Sequence, residues 1–351
     1  MPAERCVAFA PGRVNLIGEH TDYNQGLALP FAIREGVTVR AQAISGSPAR
    51  IRAQAQDLGE SDEFPVDHPF RVEGWRAFVR GVVAELGRAG IALPGARLAI
   101  SGQLPRGAGL SSSAAMEVAL CLALIGLSHE QRGEVLGPVD RTEIARLCAR
   151  VENDWVGART GLLDQLACVY GEPDAALRID FRSLSIEPIP LALGDWRLVV
   201  LDSGERHCLA DSGYNERGRE CAQACRLLGI ASLRDADPGA AAALPQPLRR
   251  RAEHVLSENE RVEDTVAALG HGDMPAVGAL LNASHASLRD CYEVSTPAVE
   301  AAVLRLRDAG AVGARLIGGG FGGSVLGLFA PEVKPPAGAL EVRPSAGAHL
   351  I

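Results

Sequence analysis

The stretch LPRGAGLSSSAAMEVAL, residues 104–120, places a Gly-x-Gly turn and three consecutive serines directly before an apolar helical pattern. One serine is enough to cap a helix, so three hydroxyls behind a glycine turn suggest a site for a ligand rich in oxygen. The glycines allow the backbone to approach such a ligand, and the N-terminus of the following helix favours phosphate. A capped helix behind a glycine loop is the alternative interpretation, and for such a loop alone it is the more common one.

The composition limits the class of protein. With 351 residues the chain is long for one hydrophobic core, and its formal net charge of −8 argues against a nucleic-acid or anionic-membrane partner. The first residues contain no charged segment followed by an apolar one, and the longest apolar stretch, residues 114–127, carries Glu117 and is too short to span a bilayer. The eight cysteines form no CxxC pair, which is typical of reduced thiols. We therefore expect a cytoplasmic protein with no membrane or nucleic-acid partner, and we expect a monomer.

The lysine content excludes several kinds of nucleotide site. Lys334 is the single lysine of the chain, and it lies in a Lys-Pro-Pro turn near the C-terminus. A Walker A lysine, a protein-kinase strand lysine and a Schiff-base lysine are therefore all absent from any plausible site. If this protein uses ATP, it does so without a catalytic lysine.

The pattern along the chain predicts an α+β protein in two halves, residues 1–193 and 194–351. Strand-like runs occupy residues 6–10, 37–44 and 96–101, a strand pair covers residues 176–189, and a buried strand begins at Trp196. Helical periodicity occupies residues 75–86, the segment after the serines, and residues 140–152. After Tyr214 the pattern is mainly helical, at residues 249–269, 274–288 and 296–309, and two further strand-like runs lie within residues 313–329.

A second stretch, GRVNLIGEHTDYNQG at residues 12–26, combines charged and apolar residues. Arg13, Glu19, His20 and Asp22 fall within ten residues, around an apolar Val-Asn-Leu-Ile run. Their acceptors and donors suit a polyhydroxylated ligand. A metal site or an exposed charged turn is the alternative, but the apolar run is not typical of a surface.

These stretches resemble a known family. GRVNLIGEHTDYN is similar to the galactokinase signature, and LPRGAGLSSSAA resembles the phosphate-binding motif of the wider GHMP kinases. GARLIGGGFGGS, residues 313–324, resembles their third, glycine-rich motif; residues 151–165 and 201–221 resemble the acidic and sugar-side segments. The segments follow the family's order from about residue 10 to residue 330. The resemblance implies the two-domain α+β GHMP kinase fold, with the active site in the interdomain cleft and a left-handed β-α-β crossover in the first domain.

The resemblance also implies roles for individual residues. Arg13 corresponds to the arginine near the transferring phosphoryl group and Asp164 to the catalytic aspartate. The sugar-binding positions are Glu19, His20, Asp22, Gly161 and Tyr214. The phosphate-binding positions are Gly107, Ala108, Gly109, Leu110, Ser111, Ser112 and Ser113, with residues 318–320 on the other side of the site. The Mg²⁺ positions are Ser113 and Glu152.

The implied activity is ATP- and Mg²⁺-dependent phosphorylation of galactose at its anomeric hydroxyl. Phosphorylation of N-acetylgalactosamine or arabinose by a related sugar 1-kinase stays open at this point, as does a non-catalytic galactose sensor. Departures from the family are small. Leu163 replaces a Met and Ser324 replaces a Cys. In the segment WRAFVRG, Ala77 and Phe78 differ from the family, which leaves any adenine contact there in doubt. The histidines outside the signature, His207, His254 and His285, are interpreted as structural.

Overall fold

The structure is a computed structural model, and it describes residues 5–104, 109–133, 139–158, 160–205 and 213–351. Two predicted phosphate-binding residues, Gly107 and Ala108, lie outside the described residues, and so does His207.

The described residues form runs of strands and runs of helices along the chain. The strands are β1 (Arg5–Asn15), β2 (Leu27–Ala28), β3 (Pro30–Ala43), β4 (Arg50–Ala55), β5 (Glu60–Pro65), β6 (Ala96–Gly102), β7 (Ala175–Asp180), β8 (Ser185–Pro190), β9 (Arg197–Asp202), β10 (Gly313–Leu316), β11 (Ser324–Phe329), β12 (Leu340–Val342) and β13 (His349–Leu350). The helices are α1 (Trp75–Arg88), α2 (Ser112–Gln131), α3 (Arg141–Arg150), α4 (Leu163–Tyr170), α5 (Tyr214–Leu228), α6 (Pro238–Ala242), α7 (Leu248–Gly270), α8 (Met274–Asp290) and α9 (Pro297–Asp308). A π-helical turn, Val151–Val156, directly continues α3. The predicted α+β class is confirmed.

The strands pair in three sheets. A six-stranded sheet has the order β13-β1-β3-β6-β4-β5, a four-stranded sheet the order β10-β11-β9-β12, and a three-stranded sheet the order β2-β7-β8. Within the described strands only β4 and β6 pair in parallel; the chain between them passes through β5 and α1. The handedness of this connection and the boundary at residue 193 stay predictions.

The last residues of the chain return to the first sheet. Strand β13 pairs with β1, and Pro344 forms an isolated bridge to Ile33. The main core also contains Leu198, Val200 and Leu326 of the second half together with the strands of the first. The two halves are therefore packed together through a continuous core, which fixes the position of the cleft between them.

Helix α2 packs against β1 and β3 and lies in the middle of the first half. It is apolar on all sides and largely buried, as expected for a central core helix. By length and composition it is also long and apolar enough to cross a membrane, but 78% of that window is buried inside the protein. The predicted helix after the serines is confirmed, and it begins at Ser112.

Side-chain caps fix the beginnings of several helices. Asp140 accepts hydrogen bonds from the backbone N–H groups of Thr142 and Glu143 at the start of α3, and Thr296 accepts one from Val299 before α9. Ser111, which precedes α2, behaves differently. It has a φ of 57°, and its side chain makes no cap hydrogen bond within the described part of the chain. The position of this serine therefore reflects another contact, which lies in the cleft.

Candidate active site

The cleft lies where three segments predicted from the sequence meet. Residues of the signature stretch, the serine stretch and the glycine-rich third motif line it, together with Thr160, Gly161, Leu163, Asp164 and Tyr214. Each predicted catalytic, sugar-binding and phosphate-binding residue that the structure describes is on this surface. Glu152 lies behind it. The structure thus brings together residues that are far apart in the sequence.

An ion pair lies at the base of the cleft. Arg13 follows a register irregularity in β1, and Asp164 is in the first turn of α4. The Arg13 Nε donates to Asp164 Oδ1 over 2.8 Å, and its Nη2 is 2.7 Å from the same oxygen. The other guanidinium nitrogen, Nη1, donates to the carbonyl oxygen of Gly109 over 2.6 Å. The pair therefore links the first strand, α4 and the segment before α2, which we call the serine loop (described residues 109–113).

The serine hydroxyls contact carboxylates of the site. Ser111 Oγ donates to Asp164 Oδ2 over 2.5 Å, and Ser113 Oγ donates to Glu152 Oε1 over 2.8 Å. Neither bond is a helix cap. The left-handed backbone at Ser111 turns its hydroxyl toward α4, which explains why this serine does not cap α2. This geometry favours a ligand site over the capped-helix alternative.

Glu152 is a buried carboxylate with several donors around it. Its Oε2 accepts hydrogen bonds from Thr160 Oγ1 at 2.8 Å and from Gln165 Nε2 at 3.0 Å. Burial raises the pKa of Glu152, and the negative charge of Asp164 raises it further. A cation at this position would offset both effects.

The donor set fits a Mg²⁺ ion shared with phosphates. Mg²⁺ is usually held by one or two carboxylates together with substrate phosphate oxygens and waters. Glu152 and the Ser113 hydroxyl supply such hard oxygens next to the N-terminus of α2. In the part of the chain that the structure describes, no group of three or more His, Cys, Asp or Glu side chains is arranged to hold a metal by itself. The site therefore suits a metal that arrives with a nucleotide.

The signature residues after β1 form a turn, which we call the sugar loop (residues 18–22). Gly18 has a φ of 93° and His20 a φ of 60°. Glu19 Oε1 accepts a hydrogen bond from the backbone N–H of Gly318 over 2.8 Å. His20 Nδ1 lies 2.8 Å from the Tyr23 hydroxyl, while its buried Nε2 has no hydrogen-bond partner among the described residues. A buried nitrogen without a partner in a cleft indicates a place for a ligand group.

The histidine of the sugar loop is neutral at pH 7. Burial lowers the pKa of His20 to about 3, and the neighbouring His254 contributes in the same direction. A neutral imidazole has one donor nitrogen and one acceptor nitrogen. His20 can therefore take part in a hydrogen-bond network with hydroxyl groups without adding charge to the cleft.

Asp22 lies directly against the backbone of Gly161. A Cβ atom at position 161 would be 2.0 Å from Asp22 Oδ2, so only glycine allows this approach. Burial raises the pKa of Asp22 to about 7, and the negative charges of Asp164 and Glu19 act in the same direction. The carboxyl group of Asp22 therefore titrates close to neutral pH.

The third motif faces the serine loop at short range. A Cβ atom at Gly318, whose φ is 78°, would be 3.6 Å from the carbonyl oxygen of Gly109 and 3.8 Å from Arg13 Nη2. The glycines at 318, 320, 322 and 323 all have positive φ. The backbone is thus exposed to the cleft on both sides of the ion pair.

Comparison with known proteins places the chain among sugar kinases. A family model described as the galactokinase galactose-binding signature matches residues 2–43, the GHMP kinases N terminal domain matches residues 77–172, and the GHMP kinases C terminal model matches residues 265–348. A galactokinase of Roseiflexus sp. is 44% identical over 92% of this chain and 83% of its own length. A galactokinase of Mycobacterium tuberculosis is also 44% identical, over 91% of this chain and 87% of its own. The chain belongs to the galactokinase family.

Solved structures agree with this membership of the galactokinase family. The crystal structure of Lactococcus lactis galactokinase complexed with galactose has a TM-score of 0.87 and 31% identity, covering 99% of this chain and 95% of that one. A mevalonate kinase of Methanococcus jannaschii has a TM-score of 0.67 at 18% identity, covering 97% and 98%, and shows the shared fold alone. The predicted GHMP kinase fold is confirmed, and the chain is a kinase.

Some residues around this galactokinase site were not found from the sequence. Thr160 contacts Glu152, and three buried residues of the second half, His254, Glu258 and Arg315, contact the sugar loop or the end of β1 from behind. The structural role of His254 stays a prediction, and its contact is to a backbone carbonyl oxygen. The sequence carries a signal for both, because His254 and Glu258 lie on the apolar face of α7, where polar and charged side chains are rarely found without a partner.

Proposed function

We propose that this chain transfers the γ-phosphoryl group of ATP to the anomeric hydroxyl of α-D-galactose, giving α-D-galactose 1-phosphate and ADP. This reaction begins the catabolism of galactose. The observation that carries the proposal is the Arg13–Asp164 ion pair, which lies between the sugar loop and the serine loop in one cleft. We further propose that the protein acts as a monomer in the cytoplasm, as its composition suggests.

The ion pair supplies the residues for the transfer. The sugar hydroxyl oxygen forms the new bond to the γ-phosphorus, and the bond from that phosphorus to the β–γ bridging oxygen breaks. Asp164 orients the hydroxyl and accepts its proton late in the step. Arg13 compensates the charge on the γ-phosphoryl oxygens, which a loose transition state spreads over three atoms. A catalytic lysine is not needed, in agreement with the position of Lys334.

The sugar loop supplies the hydrogen bonds for the substrate. Glu19, His20 and Asp22 offer carboxyl oxygens and an imidazole, and Gly161 and Tyr214 lie on the same surface. A site built to hydrogen-bond a hydroxyl group rejects an analogue that lacks it, because its own buried polar groups then stay unpaired. These five positions therefore account for recognition of a particular hexose.

The serine loop and α2 supply the phosphate site. Backbone N–H groups at the N-terminus of a helix attract phosphate, and Gly109 to Ser113 lead into that terminus. Ser113 and Glu152 would hold Mg²⁺, which, when bound, neutralises charge on the β- and γ-phosphate oxygens. The chain's own residues place the phosphates beside Arg13.

A coupled assay of ADP release tests this function. Galactose, arabinose and N-acetylgalactosamine are compared as substrates with ATP and Mg²⁺, and we expect the highest kcat/KM for galactose. A higher kcat/KM for either of the other sugars would assign the chain to a different sugar 1-kinase. Binding of galactose by calorimetry without ADP release would assign it to the sensors.

A further inference from the structure

Two buried charged residues of the second half contact the sugar loop or the strand before it from behind. Glu258 on α7 and Arg315 on β10 are both 0% exposed, and within the described part of the chain both lie outside the cleft lining. We propose that Glu258 and Arg315 are positioning residues that hold Glu19 and His20 in the geometry that binds the sugar. This inference rests on the proposed function and concerns how the same site recognises its substrate.

Glu258 binds the backbone of the sugar loop. Its Oε1 accepts hydrogen bonds from the N–H groups of Gly18 at 3.0 Å and Glu19 at 3.4 Å. The same oxygen accepts from Ser284 Oγ at 2.7 Å, and Oε2 accepts from Arg261 Nε at 2.7 Å. A buried backbone N–H without an acceptor is costly, so the carboxylate replaces the strand partner that the turn lacks.

The backbone of the sugar loop needs such support. His20 has a φ of 60°, a conformation that is costly for a residue with a side chain and persists only where the surrounding structure holds it. This φ sets the direction of the imidazole relative to Glu19. A change at the preceding N–H groups is therefore expected to move two sugar-binding side chains at once.

The same face of α7 fixes a third backbone group of the sugar loop. His254 Nε2 lies 3.1 Å from the carbonyl oxygen of Glu19, and His254 Nδ1 lies 2.8 Å from Ser287 Oγ. Burial lowers the pKa of His254 to about 4, so the ring is neutral at pH 7. Because a carbonyl oxygen can only accept, Nε2 carries the proton and Nδ1 accepts from the serine hydroxyl. His254 and Glu258 are four residues apart, which places both on one face of the helix.

Arg315 binds the end of β1 and the Glu19 carboxylate. Its Nη1 donates to the carbonyl oxygens of Asn15 at 3.1 Å and Leu16 at 2.9 Å, and its Nη2 is 3.5 Å from Glu19 Oε1. Burial raises the pKa of Glu19, whereas the positive charges of Arg315 and Arg13 oppose this rise. Arg315 thus fixes the strand that leads into the loop and favours the acceptor form of Glu19.

Glu258 in turn compensates the buried positive charges. Burial alone would raise the pKa of Glu258, but the positive charges of Arg261 and Arg315 and the hydrogen bond from Ser284 lower it. The sugar loop is therefore held by a group of opposite charges, Glu258 with Arg261 and Arg315, that lies in the second half of the chain. Its function depends on the packing of the two halves, not on the loop sequence alone.

Two substitutions at Glu258 test the proposal, with KM for galactose and for ATP, kcat and the melting temperature as readouts. Glu258→Met keeps the side-chain size and removes the acceptor, and we expect a rise of about tenfold or more in KM for galactose with KM for ATP within about threefold. Glu258→Gln keeps Oε1 as an acceptor for the two N–H groups. We expect it to restore KM for galactose to within about threefold of wild type, although its melting temperature falls because the charge is lost.

Matched variants separate positioning from general stability. Glu263→Gln changes an exposed residue of the same helix, paired with Arg178 on the surface, and we expect both KM values to stay unchanged. If Glu258→Met does not fold, Ser284→Ala decides. It removes one hydrogen bond that orients Glu258, and we expect KM for galactose to rise about fivefold or more with KM for ATP unchanged.

The proposal is overturned by either of two results. One is a folded Glu258→Met variant, or Ser284→Ala in its place, with wild-type KM for galactose. The other is an equal rise of both KM values, which indicates a purely structural role. The wild-type enzyme tests the proposed function separately: if it phosphorylates another sugar, the same ratios are measured with that sugar.

Discussion

The Asp164→Asn variant examines the catalytic pair most directly. Asparagine keeps the volume and one side-chain oxygen of Asp164, but it loses the negative charge that faces Arg13. The Asp164 side chain accepts hydrogen bonds from Arg13 Nε at 2.8 Å and from Ser111 Oγ at 2.5 Å. In the Asn variant the side-chain amide nitrogen, which can only donate, therefore replaces one of these two acceptor oxygens and faces a hydrogen-bond donor.

The loss of stability expected from Asp164→Asn follows from the solvent exposure of the Arg13–Asp164 pair. The side chain of Arg13 is 6% exposed and that of Asp164 is 27% exposed. Breaking a fully buried ion pair costs about 3–5 kcal/mol, and partial exposure reduces this to about 2 kcal/mol of stability. The catalytic effect is larger, because loss of a positioned proton acceptor lowers kcat by about 10²–10⁴-fold, or roughly 3–5 kcal/mol of barrier.

Steady-state kinetics and thermal melting on the same sample separate the two effects. We expect kcat to fall at least 100-fold at a temperature where melting shows the variant folded, with galactose binding in calorimetry largely retained. Asp154→Asn, at an exposed position ten residues earlier, is the matched control and is expected to keep wild-type kcat. If Asp164→Asn keeps more than about a tenth of wild-type kcat, less than about 1.4 kcal/mol of barrier, the catalytic role is wrong.

Two further predictions concern the metal and the pH dependence. Ser113→Ala and Glu152→Ala should each raise the Mg²⁺ and ATP concentrations that give half-maximal activity, because each removes a hard oxygen ligand. Galactose binding without ATP should stay unchanged in both variants. A lowered melting temperature with normal Mg²⁺ and ATP titrations would make both residues structural. The pKa of Asp22 is raised from 3.8 to about 7, so the carboxylate that accepts from sugar hydroxyls forms as the pH rises through about 7. The kcat/KM for galactose should therefore rise through this pH, and the contribution of Asp22 to stability should decline from about pH 4 to pH 7. Asp22→Asn should remove the inflection, and an unchanged profile would contradict this assignment.

The local elements of the fold were largely predictable from the sequence. Helix α1 and strand β6 begin where the periodicity places them, at Trp75 and Ala96. Strands β4 and β5 were missed: β4 alternates polar residues with Ile51 and two alanines, and β5 is rich in charge. Strand β5 is the edge strand of the six-stranded sheet, and β4 lies next to it, between β5 and β6. Charged residues are tolerated near such an edge, so the apolar pattern there is weak.

Most residues that line the cleft can be predicted from the sequence, because each motif carries its chemistry within about a dozen residues. Glu19, His20 and Asp22 share one turn, and the serines precede one helix. The way these segments meet depends on the tertiary structure. Arg13 pairs with Asp164 across 151 residues, and Glu258 reaches Gly18 across 240 residues. Hydrogen bonds and ion pairs act over about 3–4 Å in space, so no spacing along the chain encodes them, and packing of the two halves brings these atoms within reach.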